Sequence, residues 1–312
     1  MIRKFRTVAA AVTTVAALGG APADEGPLLP DLRQAPVGCA GGTNRDPGLC
    51  TDWDVCMVAD ADAPSGSCVD SGPIGAVRLR FTTSVDNIGE GPLLVYAKRD
   101  SVDVPTMTAR QAFQSRSDRS IPGSYDQAQH AIPASVYYEP APAHVHWHLL
   151  DFEHFQLRTP GGETLVQDRK NGFCLGDRYP ARDARDLPNR PKSTRTPEGK
   201  LAEFLRQNRC RHHEPQALDV VEGISVGSGD DYDYRVDYQW LDLTDLPSGV
   251  YDVVNVVNAD RSFVEKRYDN NASSIAVSVQ WPGGGSRPAE ITAPPRVELL
   301  RSCPDSERCA ER

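Results

Sequence analysis

No stretch of this 312-residue chain is long and apolar enough to span a bilayer. The longest apolar run, Thr7 to Leu18, falls short of a span, and no stop-transfer pattern follows it. Positive charge is also scarce. Lys and Arg number 34 against 43 Asp and Glu, a formal net charge of −9, and an acidic surface does not suit nucleic acid. The eight cysteines include no C-x-x-C pair, which argues against a zinc ribbon or a thioredoxin-like redox site. The glycine-rich turn from Gly223 to Gly229 lacks a following Lys-Ser/Thr, so it is not a phosphate loop. Internal repeats are absent.

What is present points to an exported, strand-rich protein. Arg3, Lys4 and Arg6 precede the run at Thr7 to Leu18, and Ala21-Pro22-Ala23 follows it. This is the pattern of a secretory signal, expected to be cut after Ala23. Its loss would remove three positive charges and leave −12. An acidic surface is compatible with cationic substrates, although solubility alone accounts for it. An even number of cysteines in an exported chain predicts disulfides. Sequence locality favours pairs among Cys39, Cys50, Cys56 and Cys68, a long link Cys174–Cys210, and a short one Cys303–Cys309.

Gly and Pro, 25 of each, predict many turns. Between them lie short segments of period two. Val77, Leu79 and Phe81 alternate with Arg78, Arg80 and Thr82, then Asn87 to Pro92 turns the chain and Leu93 to Tyr96 returns it as a hairpin. Further strands are expected at 144–158, 163–167, 238–243, 250–258 and 275–281, with polar irregular chain over 100–142 and a short helix near Leu201 to Asn208. The sum is an all-β protein, a β-sandwich with long loops and a disulfide-stapled N-terminal extension. The expected divisions are a signal over 1–23, a Cys-rich extension over 24–75, a sandwich domain over 76–281 and a weakly structured tail over 282–312.

Three of the seven histidines stand in Ala143-His144-Val145-His146-Trp147-His148. On an extended strand alternate side chains share a face. His144, His146 and His148 would then form one row of imidazoles, with Val145 and Trp147 turned into a core. Three converging imidazoles outline a metal site, with copper or zinc the ions they suit and copper favoured by intrinsic affinity. His154 has the same parity but lies about 20 Å along an extended strand at ~3.3 Å per residue, which sets it aside. His130, His212 and His213 fall in polar stretches and read as surface residues. A cupin would place a Glu nearer the histidines and add a second His motif. An animal-type carbonic anhydrase would take its third histidine from a neighbouring strand.

The His-x-His-x-His segment resembles the copper-binding segment of the lysyl oxidase family. Two further stretches are similar to that family in order and spacing. One is Lys170-x-x-Phe173-Cys174-Leu175; the other is Asp230-Asp231-Tyr232, with Tyr232 eight residues before Trp240 in Gln239-Trp240-Leu241-Asp242-Leu243. The joint likeness covers roughly residues 76–281. Pro140-Ala141-Pro142-Ala143 lacks the aromatic lead-in of animal members, and Cys174 and Cys210 are the only cysteines between Lys170 and Trp240, as in a bacterial-type relative. The resemblance implies copper on His144, His146 and His148, and a lysine tyrosylquinone made from Lys170 and Tyr232 by copper and dioxygen. It also implies oxidation of primary amines or peptidyl-lysine to aldehydes, with release of ammonia and hydrogen peroxide. A carboxylate is the expected base, with Asp230, Asp231 and Asp237 as candidates. Two other readings remain: a non-catalytic secreted copper- or zinc-binding sandwich, and a mononuclear metal oxygenase using the histidines alone.

Overall fold

The alternating segments settle into eighteen strands among the described residues of the computed structural model, which are 26–42, 50–142, 144–170, 172–182, 184–285 and 287–310. The expected signal over 1–23 lies outside them. Strands are numbered in chain order, and every pairing is antiparallel. A six-stranded sheet runs Gly172–Phe173 (β11), His146–Leu150 (β8), His130–Glu139 (β7), Thr106–Gln111 (β6), Leu93–Lys98 (β5), Asp219–Ile224 (β13). A five-stranded sheet runs Thr164–Gln167 (β10), Glu153–Arg158 (β9), Gly249–Val257 (β16), Ala272–Gln280 (β17), Arg296–Cys303 (β18). Two smaller sheets complete the set: Leu32–Gln34 (β1), Thr83–Asn87 (β4), Ser228–Tyr232 (β14), Tyr179–Pro180 (β12), and Trp240–Asp242 (β15), Ala76–Phe81 (β3), Trp53–Val58 (β2).

The all-β class is as the sequence indicated, and one apolar core joins the sheets. Phe81 of β3 meets Phe155 of β9 edge-on at 5.3 Å. Phe152 sits between Phe173 and Phe263 at 5.7 and 6.1 Å. Truncating a ring buried this deeply costs about 3–5 kcal/mol. The single α-helix among the described residues, Pro197–Arg206 (α1), starts where the Thr196 hydroxyl accepts from the Gly199 amide, with Pro197 in its first turn. It buries Ala202 and Leu205. No helix among the described residues is long and apolar enough to cross a membrane.

The four disulfides are Cys39–Cys50, Cys56–Cys68, Cys174–Cys210 and Cys303–Cys309. All fall within the expected groups. The segment before residue 76 contributes β1 and β2, which pair with β4 and β3.

Several local expectations fail for identifiable reasons. The segments around Asn87 to Pro92 do not pair as a hairpin: β4 joins β1 and β14, while β5 joins β6 and β13. The turn is instead wedged beneath the N-terminal segment. A Cβ on Gly91 would stand 2.2 Å from the Leu28 carbonyl oxygen, and the Asn87 amide donates to the carbonyls of Gly91 and Ile224. The stretch 100–142 holds β6 and β7, whose register shifts between Thr108 and Ala109. Arg78 is buried although its parity is polar. Its guanidinium donates to the carbonyls of Ala61, Ala63 and Ser65 and stacks 3.9 Å over Trp240. It thereby fixes the 61–65 loop, one wall of the site described next. The tail is not a loose coda, because β18 pairs along β17.

Candidate active site

His144, His146 and His148 come together, but not as one strand row. Only His146 and His148 lie on β8. His144 precedes it in a turn, its amide donating to the Ala141 carbonyl at 2.8 Å. Between them Val145 holds φ +46°, a left-handed conformation that a β-branched residue adopts only under constraint. The constraint is visible: the Val145 carbonyl accepts from the Tyr138 hydroxyl (2.9 Å) and the His213 amide (2.7 Å). Val145 is therefore half-buried and not in the core, while Trp147 is fully buried as expected.

The three imidazoles offer ligand nitrogens that all lie within 4.8 Å of one another. The Nε2 atoms of His146 and His148 stand 2.7 Å apart. Outer partners orient two of the rings. His148 Nδ1–H donates to the Tyr137 hydroxyl (3.3 Å), which donates to Glu139 (2.9 Å). His144 Nε2–H donates to Asp237 at 3.1 Å. Free lone pairs then remain on His148 Nε2 and His144 Nδ1. Burial holds His146 down to about 4, with His144 and His212 adding repulsion, and His148 down to about 2. His144 is lowered by burial and by Lys170, against the pull of Asp237. Neutral imidazoles at neutral pH are the form that ligates a metal. Gly172 is required by this packing, since a Cβ there would sit 2.5 Å from His148 Nδ1.

Lys170 and Tyr232 meet beside the histidines. The Lys170 ammonium is buried, 4.8 Å from the Tyr232 ring centre and 5.0 Å from that of Phe173. Burial lowers it from 10.5 to about 8, opposed by Glu153, Asp237 and Asp168, so roughly a tenth of the amine is neutral at pH 7. The Tyr232 hydroxyl donates to Asp230 (3.0 Å) and accepts from the Cys174 amide (2.9 Å). Its ring packs edge-on against Phe173 at 5.1 Å. Burial, with Asp230 and Glu222 nearby, drives the phenol well above its usual pKa. Asp230 itself is pushed by burial up to about 8. Arg178 Nε lies 3.3 Å from Asp230 Oδ1, outside hydrogen-bond alignment.

The three histidines, Lys170, Tyr232, Asp230 and Asp237 line one open cavity of about 850 Å³, together with His212 and Asp231. A smaller cavity of about 180 Å³ adjoins it on the Tyr137 and Glu139 side. Of the proposed bases, Asp230 faces Tyr232 and Asp237 faces His144. The sequence reading missed Glu153 and Asp168, both near Lys170 and both raised by burial to about 7. Glu153 was findable: Glu153, Phe155 and Leu157 share the buried face of β9, and a carboxylate at core parity is a signal in itself. His212 was set aside as a surface residue; it is exposed, yet its ring lies 6.2 Å from that of His146. His154 is on β9 opposite Val256, in another sheet. His130 opens β7 and bonds the Ser262 carbonyl at 3.2 Å.

Fold and site define an all-β protein with a histidine cluster beside a buried lysine and a half-buried tyrosine. Residues 186–281 match the family model described as lysyl oxidase. Lysyl oxidase homolog 3 of Homo sapiens is 28% identical over 130 residues, covering 41% of this chain and 14% of that protein. Lysyl oxidase homolog 4 of Mus musculus is 30% identical over 129 residues (41% and 14%), and lysyl oxidase homolog 2 of Gallus gallus 29% over 129 residues (41% and 13%). The chain is thus similar to the lysyl oxidase family over its C-terminal part. Its match spans about one seventh of the length of these curated relatives, and the family-model segment contains Tyr232 but not Lys170 or the three histidines.

Proposed function

We propose that this chain is a secreted, copper-dependent amine oxidase. It would convert lysine side chains or other primary amines, with dioxygen and water, to aldehydes, ammonia and hydrogen peroxide. His144, His146 and His148 would hold copper, and Lys170 and Tyr232 would be joined as a lysine tyrosylquinone. The observation that carries this reading is the approach of the Lys170 amine to the Tyr232 ring, 4.8 Å from its centre, on the cavity that the three imidazoles also line.

The donor set fits the ion: neutral nitrogen ligands suit copper among the divalent metals. Bound there, copper would supply one-electron chemistry with dioxygen beside the Tyr232 ring. The chain's own residues prepare the pair. Burial keeps part of Lys170 in the neutral form that can add to a ring. Phe173 packs against the tyrosine ring, and the Cys174 amide holds its oxygen. Asp230, hydrogen-bonded to that oxygen, is the carboxyl placed to accept a proton at this end of the cavity.

Peptide mapping of copper-loaded, aerated protein tests the reading. Peptides containing Lys170 and Tyr232 should be found covalently joined, the protein should stain for quinone, and a primary amine should release peroxide. Unlinked peptides in copper-replete, aerated protein would overturn it in favour of a metal-binding sandwich.

A further inference from the structure

Resting on the oxidase reading, we propose that the cavity selects primary amines that carry a carboxylate away from the amino group, such as an ω-amino acid or a lysyl residue flanked by acidic residues. The chain as a whole is acidic, but the mouth of this cavity is not. Arg206, Arg209 and Arg235 line it, and all three are exposed. Arg209 has no ion-pair or hydrogen-bond partner among the described residues. Arg206 pairs with Glu203, and Arg235 with Asp233, neither of which lines the cavity. Such exposed pairs exchange partners readily, being worth little each.

The acidic lining lies deeper. Asp177 and Asp230 are buried and engaged, Asp177 by the Ser225 amide and Asp230 by Tyr232. Asp237 is buried and bonded to His144. Burial raises Asp177 and Asp231 above their usual range and Asp230 up to about 8, so Asp230 adds little negative charge to the inner wall at neutral pH. The polarity is thus ordered along the cavity. An amino group entering toward Lys170 and Tyr232 meets carboxyls, and whatever it trails passes three guanidinium groups. A second ammonium there would be repelled; a carboxylate would be held.

Binding separates this proposal from the chemistry. Calorimetric titration of the full copper-free chain would compare 6-aminohexanoate, hexylamine and cadaverine, and an N-acetylated Asp-Lys-Asp peptide with its Gly-Lys-Gly counterpart. We expect the carboxylate-bearing ligand to bind roughly three- to tenfold tighter than its neutral counterpart, and cadaverine weakest. The free or the peptide pair showing this preference identifies the source of the anion. The preference should shrink toward one in 1 M salt and in R206Q/R209Q/R235Q. R209Q alone should reduce it, while R287Q, remote from the cavity, should keep it. Equal binding within both pairs, tightest binding of cadaverine, no binding of any amine, or a preference unchanged in the triple variant would overturn the proposal. Equal peroxide release from all amines would leave the oxidase reading standing without the selectivity. Selective binding without linked peptides would do the reverse.

Discussion

Replacing Lys170 with methionine should make the copper-free protein more stable at neutral pH. Lys170 is 4% exposed, and its ammonium faces two aromatic rings and makes no hydrogen bond among the described residues. Burial lowers its pKa from 10.5 to about 8, which corresponds to a folding penalty of about 3 kcal/mol at pH 7. Methionine keeps much of the length without the charge. Glu153 and Asp168 would lose their cation, but burial already holds both near 7. They can take up protons at neutral pH, so stranding them costs little. The expected net gain for Lys170→Met is about 1–3 kcal/mol at pH 7.

The pH dependence gives the sharper check. With a lowered lysine pKa, the folded chain binds this proton less tightly than the unfolded chain. Below pH 8 both states are protonated and the full penalty applies. Between 8 and 10.5 the folded state sheds the proton first, so this residue's contribution to wild-type stability rises with pH; above 10.5 the penalty has gone. Urea denaturation of both proteins at pH 7, 9 and 10.5 should show the variant's advantage closing across that window. A variant less stable than wild type at pH 7, with a gap constant from 7 to 10.5, would refute the account of a strained, desolvated lysine.

Other changes should report on separate parts of the site. Tyr232→Phe removes the hydroxyl that the Cys174 amide donates to and Asp230 accepts from; it should retain copper, lose the cross-link and cost about 1–3 kcal/mol, read by metal analysis, peptide mapping and denaturation. Gly172→Ala drives a methyl into His148 Nδ1, and copper affinity measured against a competing chelator should fall roughly 10- to 100-fold. Replacing Cys174 and Cys210 together by serine frees a loop closed over 36 residues. This should cost up to about 4 kcal/mol and release the Trp147 amide from the Cys210 carbonyl, visible as a lower urea midpoint and a changed Trp fluorescence.

Local pattern read well wherever one face of a strand is buried and one is not. β9 and β17 were legible as alternation of residue type, and the disulfide groups followed from spacing. The pairing partners were not, because they depend on turns clamped from elsewhere. Gly91 beneath Leu28 sends β4 and β5 into different sheets. β7 keeps one buried face at Ile132, Ala134 and Val136, but stayed hidden because Pro133 argues against a strand interior. β18 is an edge strand with almost no fully buried residue, so its sequence carries little apolar signal. The histidine cluster was half legible: parity accounts for His146 and His148, but His144 joins them through the left-handed Val145, which no period-two reading contains.

The buried polar groups around Lys170 bear on which reading of the site is stronger. A sandwich that merely held a metal would need the imidazoles and their outer partners, Tyr137, Glu139 and Asp237. It would have no use for an unbonded ammonium against Phe173 and Tyr232. Nor would it need Asp230 and Glu222 buried nearby, each raised by desolvation and each with a side-chain oxygen lacking a hydrogen bond. Apolar residues in those places would be more stable. Groups held in costly protonation states on one cavity are arranged for proton and nucleophile chemistry. Such an arrangement favours the oxidase over the storage module and gives the histidines a supporting part. They would make the inner end of the cavity a place for metal chemistry, while the lysine beside them carries the strain expected of a group that reacts.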